Sequence, residues 1–140
     1  MSWFSRKKKP EFSYISIHPT LPVAPQIQLE VHAPRNEGLG VSVTAILDSG
    51  ADQTCLPEQV FSQFDDRYLD YCIVPVSGAV GEAVDRKAYI MHLEFAGCNL
   101  ANIQVISLES GIALIGRDIL NKHKVTLDGP NNKWMMESNC

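Results

Sequence analysis

The sequence predicts a mostly β protein with one or two short helices. Apolar and polar residues alternate with a period of two along several segments, which is typical of strands with one buried face. Clusters of turn-forming residues separate these segments. Because 140 residues suffice for one core of ordinary size, we expect a small closed or barrel-like sheet rather than a sandwich.

The strands and turns follow one another in a simple order. Alternation predicts strands around residues 27–31, 41–47, 89–95 and 125–127, with a last strand through Trp134. Turns are predicted at residues 33–40, 76–83, 95–99 and 108–111, and short antiparallel hairpins follow from this layout. Helical segments are expected to begin at Pro57 and at Arg117.

Composition and charge exclude several classes of protein. A hydrophobic content of 45% with 20% charged residues is typical of a globular domain, and a net charge of -4 argues against nucleic acid as a partner. No apolar run approaches the roughly 20 residues that span a membrane as a helix. We therefore expect neither nucleic-acid binding nor a membrane span.

The cysteines do not form a recognisable metal site. Cys55, Cys72, Cys98 and Cys140 show no CxxC pair and no histidines at the spacing of metal ligands. We expect free thiols, although the even count leaves one disulfide open. No metal, no cofactor and a reducing, cytoplasmic location are the corresponding expectations.

The beginning of the chain differs in composition from the rest. The basic run SRKKKP at residues 5–10 is followed by a stretch that Pro19 and Pro22 interrupt, without the continuous apolar core of a secretory signal. We predict a flexible, basic, proline-containing arm over residues 1–24 and one domain over residues 25–140.

The segment AILDSGAD, residues 45–52, places an ionisable side chain at the end of a predicted strand. Asp48 follows an apolar run, and removing its carboxylate from water costs free energy unless hydrogen bonds compensate. Backbone N–H groups near Gly50 and Ala51 are candidates for these bonds. An Asx-turn that only ends the strand is the alternative. Ser49 does not lie in a G-x-S-x-G nucleophile motif.

A second segment, ALIGRDIL at residues 113–120, is also an apolar run that ends in glycine, and a cation and a short helix follow it. Together, ILDSGAD and LIGRDIL resemble the retropepsin family of aspartic proteases, which comprises retroviral proteases and single-domain bacterial relatives. The resemblance covers about residues 26–134. It implies a retropepsin-like closed β-barrel subunit that forms a homodimer.

The resemblance implies that Asp48 is the catalytic residue of an aspartic endopeptidase. The chemistry needs two carboxylates that share one proton, and the sequence has one such motif. The second carboxylate would come from another copy, so the expected partners are the chain itself and a polypeptide substrate. The alternative is a catalytically silent dimer of this fold that binds peptides or serves as a scaffold.

The same resemblance assigns roles to the neighbours of Asp48. Ser49, Gly50 and Ala51 would support the active-site loop. Gly50 and Asp52 would bind substrate, and Asp52 would also form a structural ion pair with Arg117. Because breaking a buried ion pair is costly, we expect the loss of Arg117 to damage folding or dimerisation before chemistry.

A hairpin between the two motifs corresponds to the flap of the family, with its tip near residues 77–82. An ordinary solvent-exposed hairpin is the alternative. The flap residues expected to bind substrate are Ser77, Gly78, Ala79, Val80 and Gly81. An apolar subsite is predicted from Ile46, Val80, Val84 and Ile115.

Overall fold

The computed structural model describes residues 10–77 and 81–137, and within them the chain is mostly β. The strands are β1 (Glu11–Ile15), β2 (Ala24–Ala33), β3 (Asn36–Leu47), β4 (Cys55–Pro57), β5 (Tyr71–Val76), β6 (Val84–Phe95), β7 (Cys98–Leu108), β8 (Ala113–Ile115), β9 (Lys124–Asp128) and β10 (Lys133–Glu137). The helices are α1 (Glu58–Phe61) and α2 (Arg117–Leu120), and short 3-10 helices occupy Asp66–Tyr68 and Gly129–Asn131.

The predicted period of two is confirmed in the long strands. Along β2, Leu29 and Val31 are fully buried while Glu30 between them is exposed. Along β6, Leu93 is buried and Glu94 is exposed. Each buried aliphatic side chain contributes roughly 1.5–3 kcal/mol, so these strands define the core by their inward faces.

Strand pairing joins six strands into a closed circuit. Strand β2 pairs with β3 and also with β6, β3 pairs with β8, β8 with β4, β4 with β7, and β7 with β6. The contacts β3–β8 and β4–β7 are parallel. The predicted antiparallel hairpins are confirmed for β2–β3, β6–β7 and β9–β10. The parallel contacts, which were not predicted, arise because short strands from distant parts of the chain insert between the long ones.

The sheet continues from β2 through β1, β10 and β9. Trp134 on β10 is fully buried, stacks on Phe12 of β1 at 4.5 Å between ring centroids, and donates from Nε1 to the carbonyl of Gln26 at 2.9 Å. Strand β1 lies inside residues 1–24, so ordered secondary structure begins before the predicted end of the arm. Alternation of Phe12 and Tyr14 with exposed neighbours explains why this segment joins the sheet.

The turns are only partly where the sequence predicts them. Ala96 and Gly97 have φ angles of 50° and 80°, and this pair connects β6 to β7 within the turn predicted at residues 95–99. The predicted turn at residues 33–40 is mostly strand, because β3 begins at Asn36 and pairs back onto β2. Strand β7 was not predicted, since its apolar residues do not alternate strictly.

Among the described cysteines, the expectation of free thiols is wrong at Cys98. Cys98 is disulfide-bonded, whereas Cys55 and Cys72 are free, the first buried and the second exposed. Cys140 lies outside the described residues. The disulfide removes one premise of the predicted reducing compartment. Among the described residues, no helix combines the length and apolar character needed to cross a membrane.

Candidate active site

Asp48 lies where two neighbouring parallel strands end. Leu47, the last residue of β3, pairs with Ile115, the last residue of β8. The backbone N–H of Asp48 donates to the carbonyl of Ile115 at 2.9 Å. The two sequence motifs therefore meet at one edge of the sheet, and Asp48 is the first residue of the loop that leaves it.

The loop holds the Asp48 carboxylate through its own backbone. The N–H of Gly50 donates to Oδ1 of Asp48 at 2.9 Å, and the N–H of Ala51 donates to the carbonyl of Asp48 at 3.1 Å. This is the Asx-turn that the sequence left open. It is compatible with a reactive role, because the turn fixes the direction of a half-buried carboxylate that a second group can approach.

Arg117, the first residue of α2, fastens the same loop at three points. Its backbone N–H donates to the carbonyl of Ala51 at 2.9 Å, and Nη1 donates to the carbonyl of Ser49 at 2.8 Å. Its Nη2 contacts Oδ1 of Asp52. The second motif thus braces the loop through main-chain and side-chain bonds together.

The ion pair of Arg117 and Asp52 is not buried within this chain. The two side chains are 44% and 81% exposed, respectively. An exposed pair of this kind contributes at most about 1 kcal/mol. The large cost expected for breaking a buried pair therefore does not apply to the single chain. The hydrogen bonds of Arg117 to the carbonyls of Ser49 and Ala51 are the stronger evidence that Arg117 holds the loop.

Sequence reasoning missed a buried polar network behind the loop. Thr54 is fully buried, and its hydroxyl donates to Oδ1 of Asp118 at 2.9 Å while accepting from the N–H of Gly116 at 3.1 Å. The N–H of Thr54 also donates to both oxygens of the Asp118 carboxylate, at 3.1 and 3.0 Å. An acidic residue in the first turn of a helix was the available signal for Asp118.

Gly116 is required by a close approach of two backbones. A Cβ atom at this position would lie 2.5 Å from the carbonyl carbon of Gln53 and 2.9 Å from the nitrogen of Thr54. Because neither backbone atom can move independently of the loop, only glycine allows β8 and the segment before β4 to touch. This contact seats the second motif against the first.

A groove of about 340 Å³ runs between the Asp48 loop and the end of β5. Its lining consists of Gly50, Ala51, Asp52, Gln53, Cys55, Pro75, Val76, Ser77, Ile106 and Leu114. Four of the predicted site residues, Gly50, Ala51, Asp52 and Ser77, therefore border one space. Polar groups line the loop side and apolar groups line the strands.

The predicted apolar subsite is only partly in place. Ile115 is 1% exposed and belongs to the core, because side chains alternate along β8 and its neighbour Leu114 faces the groove instead. Val84 is 51% exposed on β6. Gly78, Ala79 and Val80 lie outside the described residues. Gly81 has a φ of 113°, which glycine adopts without strain.

Cys55 borders the groove but is poorly suited to nucleophilic chemistry. Burial raises the pKa of its thiol to about 11, and the carboxylates of Asp118 and Asp48 add to that effect. The thiol donates to the carbonyl of Gln53 at 3.3 Å. Since the thiolate is the reactive form of cysteine, the half-buried carboxylate of Asp48 is the better candidate for the reacting group.

The comparisons with known proteins agree with this arrangement. The family model described as retroviral aspartyl protease matches residues 18–128. No curated protein matches the chain. The structure of EIAV protease complexed with the inhibitor HBY-793 matches with a TM-score of 0.55 at 17% identity, covering 76% of this chain and 92% of that one.

A retropepsin-like aspartic protease from Rickettsia conorii matches with a TM-score of 0.61 at 15% identity, covering 94% of this chain and 91% of that one. At identities of 17% and 15%, the structural matches establish the fold alone. The chemistry has to be argued from the residues of this chain. The mostly β, retropepsin-like fold predicted from the sequence is confirmed.

Proposed function

This chain belongs to the retroviral aspartyl protease family, and we propose that it is an aspartic endopeptidase that acts as a homodimer with two Asp48 side chains. The observation that carries the proposal is the way the second motif holds the Asp48 loop. Strand β8 bonds the backbone of Asp48, and Arg117 bonds the carbonyls on either side of Gly50. A loop held at so many points keeps a carboxylate in one position.

One carboxylate is insufficient for the reaction, and each chain contributes one Asp48. In the proposed dimer, two Asp48 side chains lie across a twofold axis and share one proton. The ionised one takes a proton from water as the oxygen attacks the peptide carbonyl carbon, and the protonated one donates to the carbonyl oxygen. Collapse of the tetrahedral intermediate returns a proton to the leaving nitrogen and breaks the C–N bond.

The groove supports an extended polypeptide as the substrate. Its loop side offers backbone groups near Gly50 and the carboxylate of Asp52, while Ile106 and Leu114 form an apolar floor. Such a surface pairs with the backbone of an extended peptide and accepts apolar side chains at alternate positions. We expect cleavage next to apolar residues.

The test compares wild type with Asp48→Asn on a mixed peptide library from about pH 4 to about pH 8. Asparagine has nearly the same shape as aspartate but cannot serve as the base, so cleavage should disappear. Asp66→Asn is the matched control, because Asp66 is an exposed carboxylate in a 3-10 helix away from the groove, and this variant should cleave like wild type.

A dilution series of wild type separates the dimer from a self-sufficient chain. If two chains share the site, specific activity should fall as the protein is diluted below its dimer dissociation constant. Activity that survives Asp48→Asn would refute the proposal. A folded, dimeric wild type that cleaves no peptide would instead favour the silent peptide-binding or scaffold dimer.

A further inference from the structure

A second group of ionisable side chains lies on the outer face of the sheet, away from Asp48. In the pairing of β2 with β6, Glu30 is opposite Glu94 and His32 is opposite His92. Since side chains alternate along a strand, all four lie on the face opposite the buried Val31. The strands bring together residues that are far apart in sequence, which is why local ligand spacing did not indicate a site.

We propose that Glu30, His32 and Glu94 form a binding site for a divalent transition-metal ion of the Zn²⁺ type. One ligand atom from each residue lies within 4.8 Å of the other two. Imidazole nitrogen with carboxylate oxygen is a donor set that Zn²⁺ accepts, and three protein ligands leave a fourth position for water. The two carboxylates also neutralise the charge of the ion.

The hydrogen bonds of His32 leave the correct nitrogen for a metal. Its Nδ1 lies 2.9 Å from the backbone carbonyl of Glu37. Because a carbonyl only accepts, the neutral ring donates from Nδ1 and keeps its lone pair on Nε2, which lies 3.7 Å from Oε1 of Glu30. A backbone carbonyl that orients a histidine in this way is the usual outer partner of a metal ligand.

There is room at the site for an ion with its water. His32 and Glu94 border an open cavity of about 430 Å³, which His92 and Glu37 also line. Glu30 and His32 reach this arrangement by lying over Gly40, where a Cβ atom would be 2.3 Å from Oε1 of Glu30 and 2.8 Å from Cε1 of His32. A side chain at Gly40 would therefore displace both ligands.

The position of the site gives the ion a structural role. The β2–β6 pairing contains only three residue pairs, and it closes the circuit of six strands. An ion held by Glu30, His32 and Glu94 would cross-link these two strands. The site is separate from the Asp48 loop, because Ser42, the β3 partner of Glu30, precedes Asp48 by six residues, or about 20 Å of strand.

The test titrates the full chain with ZnCl₂ against a chromophoric zinc chelator, after removal of metal with EDTA. A Cys72→Ser background removes the exposed free thiol, a competing zinc ligand. We expect one zinc ion per chain. His32→Ala and Glu94→Gln should each weaken binding by at least about 10-fold, whereas His18→Ala, which changes an exposed histidine outside the group, should leave it unchanged.

A pair of glycine variants tests the geometry while every ligand stays in place. Gly40→Ala should weaken zinc binding, whereas Gly38→Ala should not, because its added Cβ meets only Asn36 Oδ1 at an ordinary 3.6 Å. Zinc should also raise the melting temperature of the background protein and not that of the His32→Ala variant. Circular dichroism checks that each variant is folded.

The proposal fails if zinc does not bind stoichiometrically, or if His32→Ala and Glu94→Gln bind it as well as the background does. It also fails if Gly38→Ala and Gly40→Ala weaken zinc binding equally. The loss would then reflect a general disturbance of β3 and not the displacement of Glu30 and His32. These readouts are independent of peptide cleavage, so they stand whether or not the chain is a protease.

Discussion

Replacing Thr54 by valine tests whether the network behind the Asp48 loop stabilises the protein. Valine has the shape of threonine without the hydroxyl, so the packing is kept while two hydrogen bonds are lost. The N–H of Gly116 is then buried without its acceptor, which costs about 1–3 kcal/mol. The carboxylate of Asp118 also loses one donor but retains the N–H groups of Thr54 and Ile119.

We therefore expect Thr54→Val to lower the free energy of unfolding by about 2–4 kcal/mol. Urea unfolding at one fixed protein concentration measures this loss, since a dimer would make stability depend on concentration. With a slope of about 2 kcal/mol per molar urea, the midpoint should fall by about 1–2 M.

Thr54→Ser is the matched control for this prediction. It keeps the hydroxyl and removes one buried methyl group, which costs about 1 kcal/mol. If Thr54→Val is as stable as wild type, the hydrogen bonds of the network contribute nothing measurable. The reasoning from buried polar groups would then be wrong at this site.

Three further predictions use other parts of the chain. Gly116→Ala should lower the melting temperature strongly, because its Cβ would meet backbone at 2.5 Å, whereas Gly129→Ala, with nothing within 4 Å, should be close to neutral in the same thermal scan. Burial, with a smaller contribution from a neighbouring lysine, lowers the pKa of His123 below its ordinary 6.5. The unfolded chain therefore binds more protons, and stability should be complete above about pH 6.5 and fall as the solution is acidified through the folded pKa. His123→Leu should flatten that dependence in urea titrations across this range, and an unchanged slope would contradict the assignment. Finally, a thiol reagent at neutral pH should label Cys72 quickly and Cys55 slowly, because Cys72 is exposed while burial raises the pKa of Cys55 to about 11; equal rates would count against the burial of Cys55.

The long strands were predictable because each carries its own signal. Alternation over β2 and β6 is visible in any short window of sequence. The proline directly before α1, Pro57, is also a local signal, in this case for the beginning of a helix. By contrast, β4 and β8 have three residues each, which is too short for a period to be recognised. Their parallel pairing depends on contacts between distant segments, which no local pattern encodes.

The residues of the candidate site also fall into some that the sequence indicated and others that it did not. Asp48 and Arg117 stand out because each follows an apolar run, where burying a charge costs free energy unless partners compensate. Thr54 is an ordinary residue in sequence, and its importance comes from complete burial between two polar partners. The exposure of the Arg117–Asp52 pair was likewise unpredictable, since accessibility depends on what the rest of the chain covers.

The parallel pairing of β3 with β8 has a consequence for synthesis of the protein. A ribosome makes the Asp48 loop early, but the carbonyl of Ile115 and the guanidinium of Arg117 that hold it are made much later. Contacts between such distant segments form slowly, because the intervening chain must first be ordered. A nascent chain therefore carries Asp48 in an unbraced loop until α2 has emerged, and the hydrogen bonds that fix this loop are completed only when the fold is nearly complete.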